Sequence, residues 1–278
     1  MGTIMQLQPA DLALDHLTVV DAAPVDLIEL AHGAGFRAIG LFLHAMKELP
    51  LMPPFDLVAD RQMRGTVRER AEQLGVGIDI AYPFSLGGSG DLRDFEPAME
   101  CAAELGAAFL NLLIFDRDEA RRADRLAQFA TLAAGFGLTP LIEFYPQSAV
   151  ASLTDAVALL ENLPEPGLAA LNVDLLHLYR SGGTSEQVRA LPQEMLAYAQ
   201  ICDGPLQRER SEWAVEAGSA RQLPGDGAFD LAGFLDALPQ PCRVSVEVPD
   251  DQACKDGLAK QLRAGRAMEA TRRFCGLC

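Results

Sequence analysis

Short apolar runs alternate with amphipathic stretches along the whole chain, and several of the amphipathic stretches stop at a glycine. Such alternation predicts parallel strands joined by crossover helices. The strand candidates are Leu14–Val20, Ala38–His44, Val76–Pro83, Phe109–Phe115, Leu138–Tyr145, the run beginning at Leu168, Leu196–Cys202 and Cys242–Val248. Between them the spacing predicts helices over Pro24–Gly35, Asp56–Leu74, Phe95–Leu105 and Glu119–Phe136, then one from Thr154 and a short one within Ser185–Glu194. The long connection Pro205–Pro241 holds a short helix near Leu231–Leu238, and Asp256–Phe274 closes the pattern. Eight alternations without a linker, and without a glycine-rich phosphate fingerprint after the first strand, favour a closed (β/α)8 TIM barrel in one domain over a doubly wound sheet.

Composition narrows the partners. The 278 residues carry a net charge of −16, from 23 basic and 39 acidic side chains. Nucleic acid and anionic membranes select positive surfaces, so neither is expected as a partner. No signal peptide is evident at the start, and no apolar run approaches the roughly 20 residues that span a bilayer. A cytoplasmic location is expected. The six cysteines form no disulfide framework. Cys275 and Cys278 have zinc or redox spacing but lack a second pair, and a structural zinc normally needs four ligands.

Polar residues inside apolar strands carry the candidate chemistry. In the stretch Leu168–Gly183, LAALNVDLLHLYRSGG, the polar groups Asp174, His177 and Arg180 follow an apolar run just before a glycine pair. In a barrel the active site lies at the carboxyl ends of the strands. Those ends hold His44, Tyr82, Asn111, Glu143, Asp174, Gln200 and Glu247. Glu143, Asp174, Gln200 and Glu247 lie on consecutive strands, the fifth to the eighth. Three carboxylates converging on one mouth would repel one another and raise their own pKa values. A divalent cation resolves this, and an all-oxygen set favours Mg²⁺ or Mn²⁺ over Zn²⁺. The competing use of Glu143 and Glu247 is ion pairing with arginines such as Arg180 and Arg221.

These residues resemble the xylose isomerase-like TIM barrel superfamily, which includes sugar phosphate isomerase/epimerases, ketose 3-epimerases, inosose dehydratase, 3-dehydroshikimate dehydratases and endonuclease IV. Glu143, Asp174-x-x-His177, Glu247 and the segment LPGDGAFD (Leu223–Asp230), which is similar to the family's PGxGxxD signature, carry the resemblance. It implies that Glu143, Asp174, Gln200 and Glu247 bind one metal, that His177 contacts substrate, and that Arg221 holds a substrate oxyanion. At the seventh strand the epimerases usually place a histidine; Gln200 is similar to the 3-dehydroshikimate dehydratase branch. The endonuclease branch needs more histidines than the four present.

The activity implied is a metal-dependent isomerase or epimerase of a sugar-like polyhydroxy carbonyl compound, with Glu143 and Glu247 moving a proton on opposite faces. The alternatives are a dehydratase or lyase with His177 as base, and a non-catalytic sugar-binding barrel. Tyr82, Asn111, Tyr145, Gln147, Arg180 and His44 are candidate substrate contacts, and Met46–Phe55 and Phe84–Asp94 candidate lids. Barrels of this kind commonly pair, so a homodimer is a further expectation.

Overall fold

Eight apolar runs become eight parallel strands that close on themselves in sequence order. The computed structural model describes residues 11–275. The elements are β1 (Leu12–Asp15), α1 (Pro24–Ala34), β2 (Ala38–Phe42), α2 (Arg61–Leu74), β3 (Gly77–Leu86), α3 (Glu96–Glu104), β4 (Phe109–Ile114) and α4 (Glu119–Ala134). Then come β5 (Thr139–Glu143), α5 (Leu153–Glu161), β6 (Ala170–Asp174), α6 (Leu175–Arg180), α7 (Ser185–Arg189), β7 (Leu196–Ile201), α8 (Trp213–Ser219), α9 (Leu231–Ala237), β8 (Arg243–Val246), α10 (Asp251–Lys255) and α11 (Lys260–Cys275). Closure is made by β1 and β8, which pair Leu12 with Val244, Ala13 with Ser245 and Leu14 with Val246. The chain is a single-domain (β/α)8 barrel.

The helices follow from local rules. In α1 a proline opens the first turn, where its missing N–H is no loss, and Leu27, Ile28, Leu30 and Ala31 line the buried stripe. Gly35 ends it with φ +88 and returns its N–H to Ala31 and His32. Each large aliphatic side chain so buried contributes about 1.5–3 kcal/mol. Outside the barrel wall Phe84, Phe95 and Phe129 pack edge to face between strands and helices.

Several boundaries depart from the sequence pattern, among them the second helix, which starts at Arg61 rather than Asp56. The first strand ends at Asp15 rather than running to Val20, because Asp15 turns its carboxylate back to the Leu17 N–H and starts a 3₁₀ turn over His16–Val19. The Pro205–Pro241 connection contains α8 as well as α9. The last helix is divided, with α10 ending before Gly257 at φ +79 and α11 resuming at Lys260. Of the proposed lids, Met46–Phe55 is anchored by Met52 and Phe55, which are buried, with Phe55 stacked on His16 at 5.9 Å, while Lys47, Glu48, Pro50 and Pro54 are exposed. Phe84–Leu86 continue β3. No helix among the described residues is long and apolar enough to cross a membrane. Cys278 lies outside the described residues, so the Cys275–Cys278 spacing does too.

Candidate active site

The barrel interior is polar where the strand ends converge. Asp15, Asn111, Glu143, Asn172, Asp174, Gln200, Ser245 and Glu247 are all buried. Glu143 ends β5, Asp174 ends β6, and Glu247 follows β8 directly, its N–H bonded to the Ile201 carbonyl. Asp174 serves two purposes. Its Oδ1 accepts the His177 N–H at 3.0 Å and so caps α6, while its Oδ2 accepts from Arg221 Nη1 at 2.6 Å. The Asp-x-x-His spacing is therefore a capping geometry that seats His177 on the first helical turn.

The side chains form a continuous circuit. His177 Nε2 lies 3.5 Å from Glu143 Oε1. Glu143 Oε2 accepts from the Asn111 amide, and Asn111 Oδ1 accepts from Asn172 Nδ2 at 2.9 Å. Asn172 Nδ2 also donates to Gln200 Oε1, and Gln200 Nε2 donates to Glu247 Oε2. Arg221 bridges Glu247, at 3.4 Å, and Asp174. Beside the circuit, Tyr82 donates to Asp15 Oδ2 at 2.6 Å, and Gln200 Nε2 reaches the Tyr82 hydroxyl at 3.2 Å. Gly40 makes room for this pair, since a Cβ there would stand 2.8 Å from Asp15 Oδ2.

Four carboxylates thus face one guanidinium. Burial pushes Glu143 up to about 8, with Asp174 adding repulsion, and pushes Asp15 up to about 6. Burial also holds Glu247 well above the ordinary carboxylate range, against the pull of Arg221. For Asp174 burial acts upward, yet the Arg221 guanidinium, with the His177 backbone N–H, outweighs it and holds the group below its ordinary value. Burial lowers His177 to about 4, so it is a neutral imidazole at neutral pH. Surplus buried negative charge calls for protons or a cation. Donor atoms of Glu143, Asp174 and His177 lie within 4.8 Å of one another, a spacing that fits one metal ion. Gln200 presents its nitrogen, not its carbonyl oxygen, toward Glu247, because the oxygen is taken by Asn172.

The remaining sequence candidates are distributed around this circuit. Asn111 and Tyr82 belong to it. Tyr145 is half-buried against the His177 ring, 4.9 Å between centroids. His44 is half-buried in a bridge with Asp56, its Nδ1 near the Ala45 carbonyl. Arg180 is engaged elsewhere: it makes a paired contact with buried Glu216 at 2.6 and 2.7 Å and donates to the Pro205 and Leu206 carbonyls. With Tyr179, Arg208 and Trp213 it lines a cavity of about 730 Å³. A second cavity, about 340 Å³, is lined by Thr18, Arg221, Val248 and Arg263. The PGDG segment wraps Asp203, whose carboxylate accepts the N–H groups of Gly204, Gly225 and Phe229. Asp203 also pairs with Gln222 through two backbone hydrogen bonds, which places Arg221 over the circuit.

Sequence reasoning missed Asp15, Asn172, Asp203 and Glu216. Asn172 was readable, since it lies two positions before Asp174 and so shares its inward face.

The model of the xylose isomerase-like TIM barrel family matches residues 28–273. No curated protein sequence matches the chain. Among solved structures, the chain is similar to an IolI protein with a bound zinc atom, at TM-score 0.77 and 18% identity over 96% of this chain and 98% of that one. It is also similar to AsbF of Bacillus anthracis, described as a probable 3-DHS dehydratase, at TM-score 0.71 and 14% identity over 94% and 98%. A D-psicose 3-epimerase solved with D-fructose gives TM-score 0.71 and 16% identity over 95% and 98%. At these identities the likeness is one of fold.

Proposed function

The chain belongs to the xylose isomerase-like TIM barrel family, and from that premise we propose that it is a divalent-metal-dependent isomerase or epimerase of a sugar-like polyhydroxy carbonyl compound. The observation that carries this reading is the pair Glu143 and Glu247, both buried in the barrel mouth, both held toward the protonated form, and separated around the circuit by three amide side chains. Two carboxyl groups with raised pKa values suit removal and return of a carbon-bound proton near neutral pH.

Glu143, Asp174 and Glu247 would hold the cation with His177 beside them, while Gln200 would keep its Nε2 on Glu247 and orient that carboxylate. When bound, a divalent ion supplies Lewis-acid polarisation of the substrate carbonyl. Mn²⁺ or Mg²⁺ suits a set dominated by oxygen. The protein supplies the rest. One glutamate takes the proton next to the carbonyl and the other returns one from the opposite face. Negative charge that develops on the substrate oxygen faces Arg221. Tyr145 and Asn111 offer hydrogen bonds to hydroxyl groups, and the buried circuit keeps bulk water from the transferred proton.

A dehydratase is the second reading. Gln200 favours it, as does neutral His177, which sits between Glu143 and Tyr145 with a free ring nitrogen for a base.

Incubation with keto-sugars, inosose and 3-dehydroshikimate in D₂O with Mn²⁺ tests the proposal. Deuterium next to the carbonyl with inversion supports the epimerase, and loss of water with formation of a double bond supports the dehydratase. Either activity should vanish in Glu143→Gln while the fold persists. Full turnover in Glu143→Gln would remove that residue from the mechanism.

A further inference from the structure

Asn172 sits at the midpoint of the amide chain between the two glutamates, and the hydrogen bonds of that chain run outward from it in both directions. Both ends are carboxylates. Each accepts an amide hydrogen bond in this structure. Asn111 and Gln200 therefore turn their NH₂ groups outward, to Glu143 and Glu247 respectively. Their carbonyl oxygens then face inward, toward each other across Asn172. Two inward acceptors demand two donors from one group, and a primary amide NH₂ has two. Asn172 Nδ2 donates to Asn111 Oδ1 at 2.9 Å and to Gln200 Oε1 at 2.5 Å. The opposite amide orientation would set three carbonyl oxygens against one another.

The backbone reinforces this position. Asn172 pairs with Glu143 on β5 and with Tyr198 on β7, and the β6–β7 register shifts between Leu171 and Asn172. Asn172 is fully buried, and its own Oδ1 is the one end of the amide without a partner. Its hydrogen bonds are thus directed entirely at Asn111 and Gln200.

We propose that Asn172 is a positioning residue that fixes the Asn111 and Gln200 amides and, through them, the carboxylates of Glu143 and Glu247 as one unit. Its catalytic meaning rests on the reading of those glutamates given above, whereas its geometry does not. Leucine at this position keeps the size and removes both donors. Aspartate keeps the shape and presents acceptors to two acceptors.

The test joins three measurements. Neutron diffraction from the wild-type protein locates the amide deuterons; the proposal expects both Asn172 deuterons directed at Asn111 and Gln200, and an amide turned the other way overturns it. Crystal structures of Asn172→Leu and Asn172→Asp should show Asn111 and Gln200 rotated and both glutamates displaced. Unmoved side chains in a folded Asn172→Leu overturn it, whether or not the protein binds metal. Calorimetric titration with Mn²⁺ alone should show affinity falling roughly ten- to a hundred-fold in Asn172→Leu, with little change in thermal midpoint. Wild-type protein that takes no Mn²⁺ counts against the metal-dependent function only; tight wild-type binding with equal or tighter binding by Asn172→Leu counts against the positioning role.

Discussion

Arg221 Nη1 lies 2.6 Å from Asp174 Oδ2, and the same guanidinium reaches Glu247 Oε1 at 3.4 Å, so one buried cation joins two carboxylates from β6 and β8. Removing one partner of a buried pair leaves uncompensated charge and costs about 3–5 kcal/mol. Arg221→Gln should lose that much in urea unfolding at neutral pH without added metal. Mn²⁺ should return part of it, since a divalent ion replaces the missing positive charge. A loss under about 1 kcal/mol, the scale of an exposed pair, would show that the pair contributes little.

The raised carboxyl groups set the pH dependence of the metal-free protein. Unfolded, Glu143 titrates near 4.5 and Asp15 near 3.8; folded, burial moves them to about 8 and about 6. Between these values the two groups hold protons that the unfolded chain has released. With Glu247, also raised, they make stability fall as pH rises from about 4 to about 8. They outweigh buried His16 and His177, which are lowered from 6.5 to about 4 and act the other way only up to about 6.5. Asp174, held below its ordinary 3.8, acts in the opposite sense, and its contribution is lost only as pH falls through its lower folded value. Chelator-treated protein should therefore resist urea better at about pH 5 than at about pH 8. Added Mn²⁺ should stabilise more strongly at the higher pH, because metal and protons compete for the same oxygens. A rise in metal-free stability across this window would contradict the burial of these groups.

Gly40 is a site where one methyl group should be felt. A Cβ would lie 2.8 Å from Asp15 Oδ2 and 2.9 Å from Tyr82 Cε2. Both side chains are held by the hydrogen bond from the Tyr82 hydroxyl to Asp15 Oδ2 and by packing of Tyr82 on Phe42, 5.0 Å between centroids. Gly40→Ala should destabilise by about 1–3 kcal/mol, the scale of overpacking a well-filled core. Denaturant midpoints would measure it, and an unchanged midpoint would mean that the pair moves freely.

Asp203→Ala would leave the N–H groups of Gly204, Gly225 and Phe229 without their acceptor. Bonds to a charged acceptor contribute about 1.5–3 kcal/mol each, so the loss should exceed about 3 kcal/mol in urea unfolding. Because the turn freed at Gly225 follows Arg221 and Gln222 closely in the chain, the variant should weaken Mn²⁺ binding through a displaced Arg221, read by calorimetry. Wild-type affinity in a destabilised variant would separate the cradle from the site.

Legibility followed the strand pattern. Glu143, Asp174, Gln200 and Glu247 were visible because each is a polar residue at the carboxyl end of an otherwise apolar strand. Asp15 was hidden: Leu14–Val20 reads as one apolar run, and only the capping bond to Leu17 shows that the strand stops there. Asn172 was overlooked because one polar residue amid LAALNV looks like tolerance rather than design. The partnership of Arg180 with Glu216, and the wrapping of PGDG around Asp203, depend on chain segments distant in sequence, whose meeting no local pattern encodes.

The excursion from Pro205 to Ser219 leaves the barrel beside the Asp203–Gln222 bridge and returns beside the Ala220–Asp250 bridge. Its two ends are fastened to the frame, while Leu206 and Val215 within it face solvent. It works as a brace: its Ala217 carbonyl takes the Arg221 Nε–H at 3.0 Å and its buried Glu216 holds Arg180, so shortening it would loosen the guanidinium that spans Asp174 and Glu247.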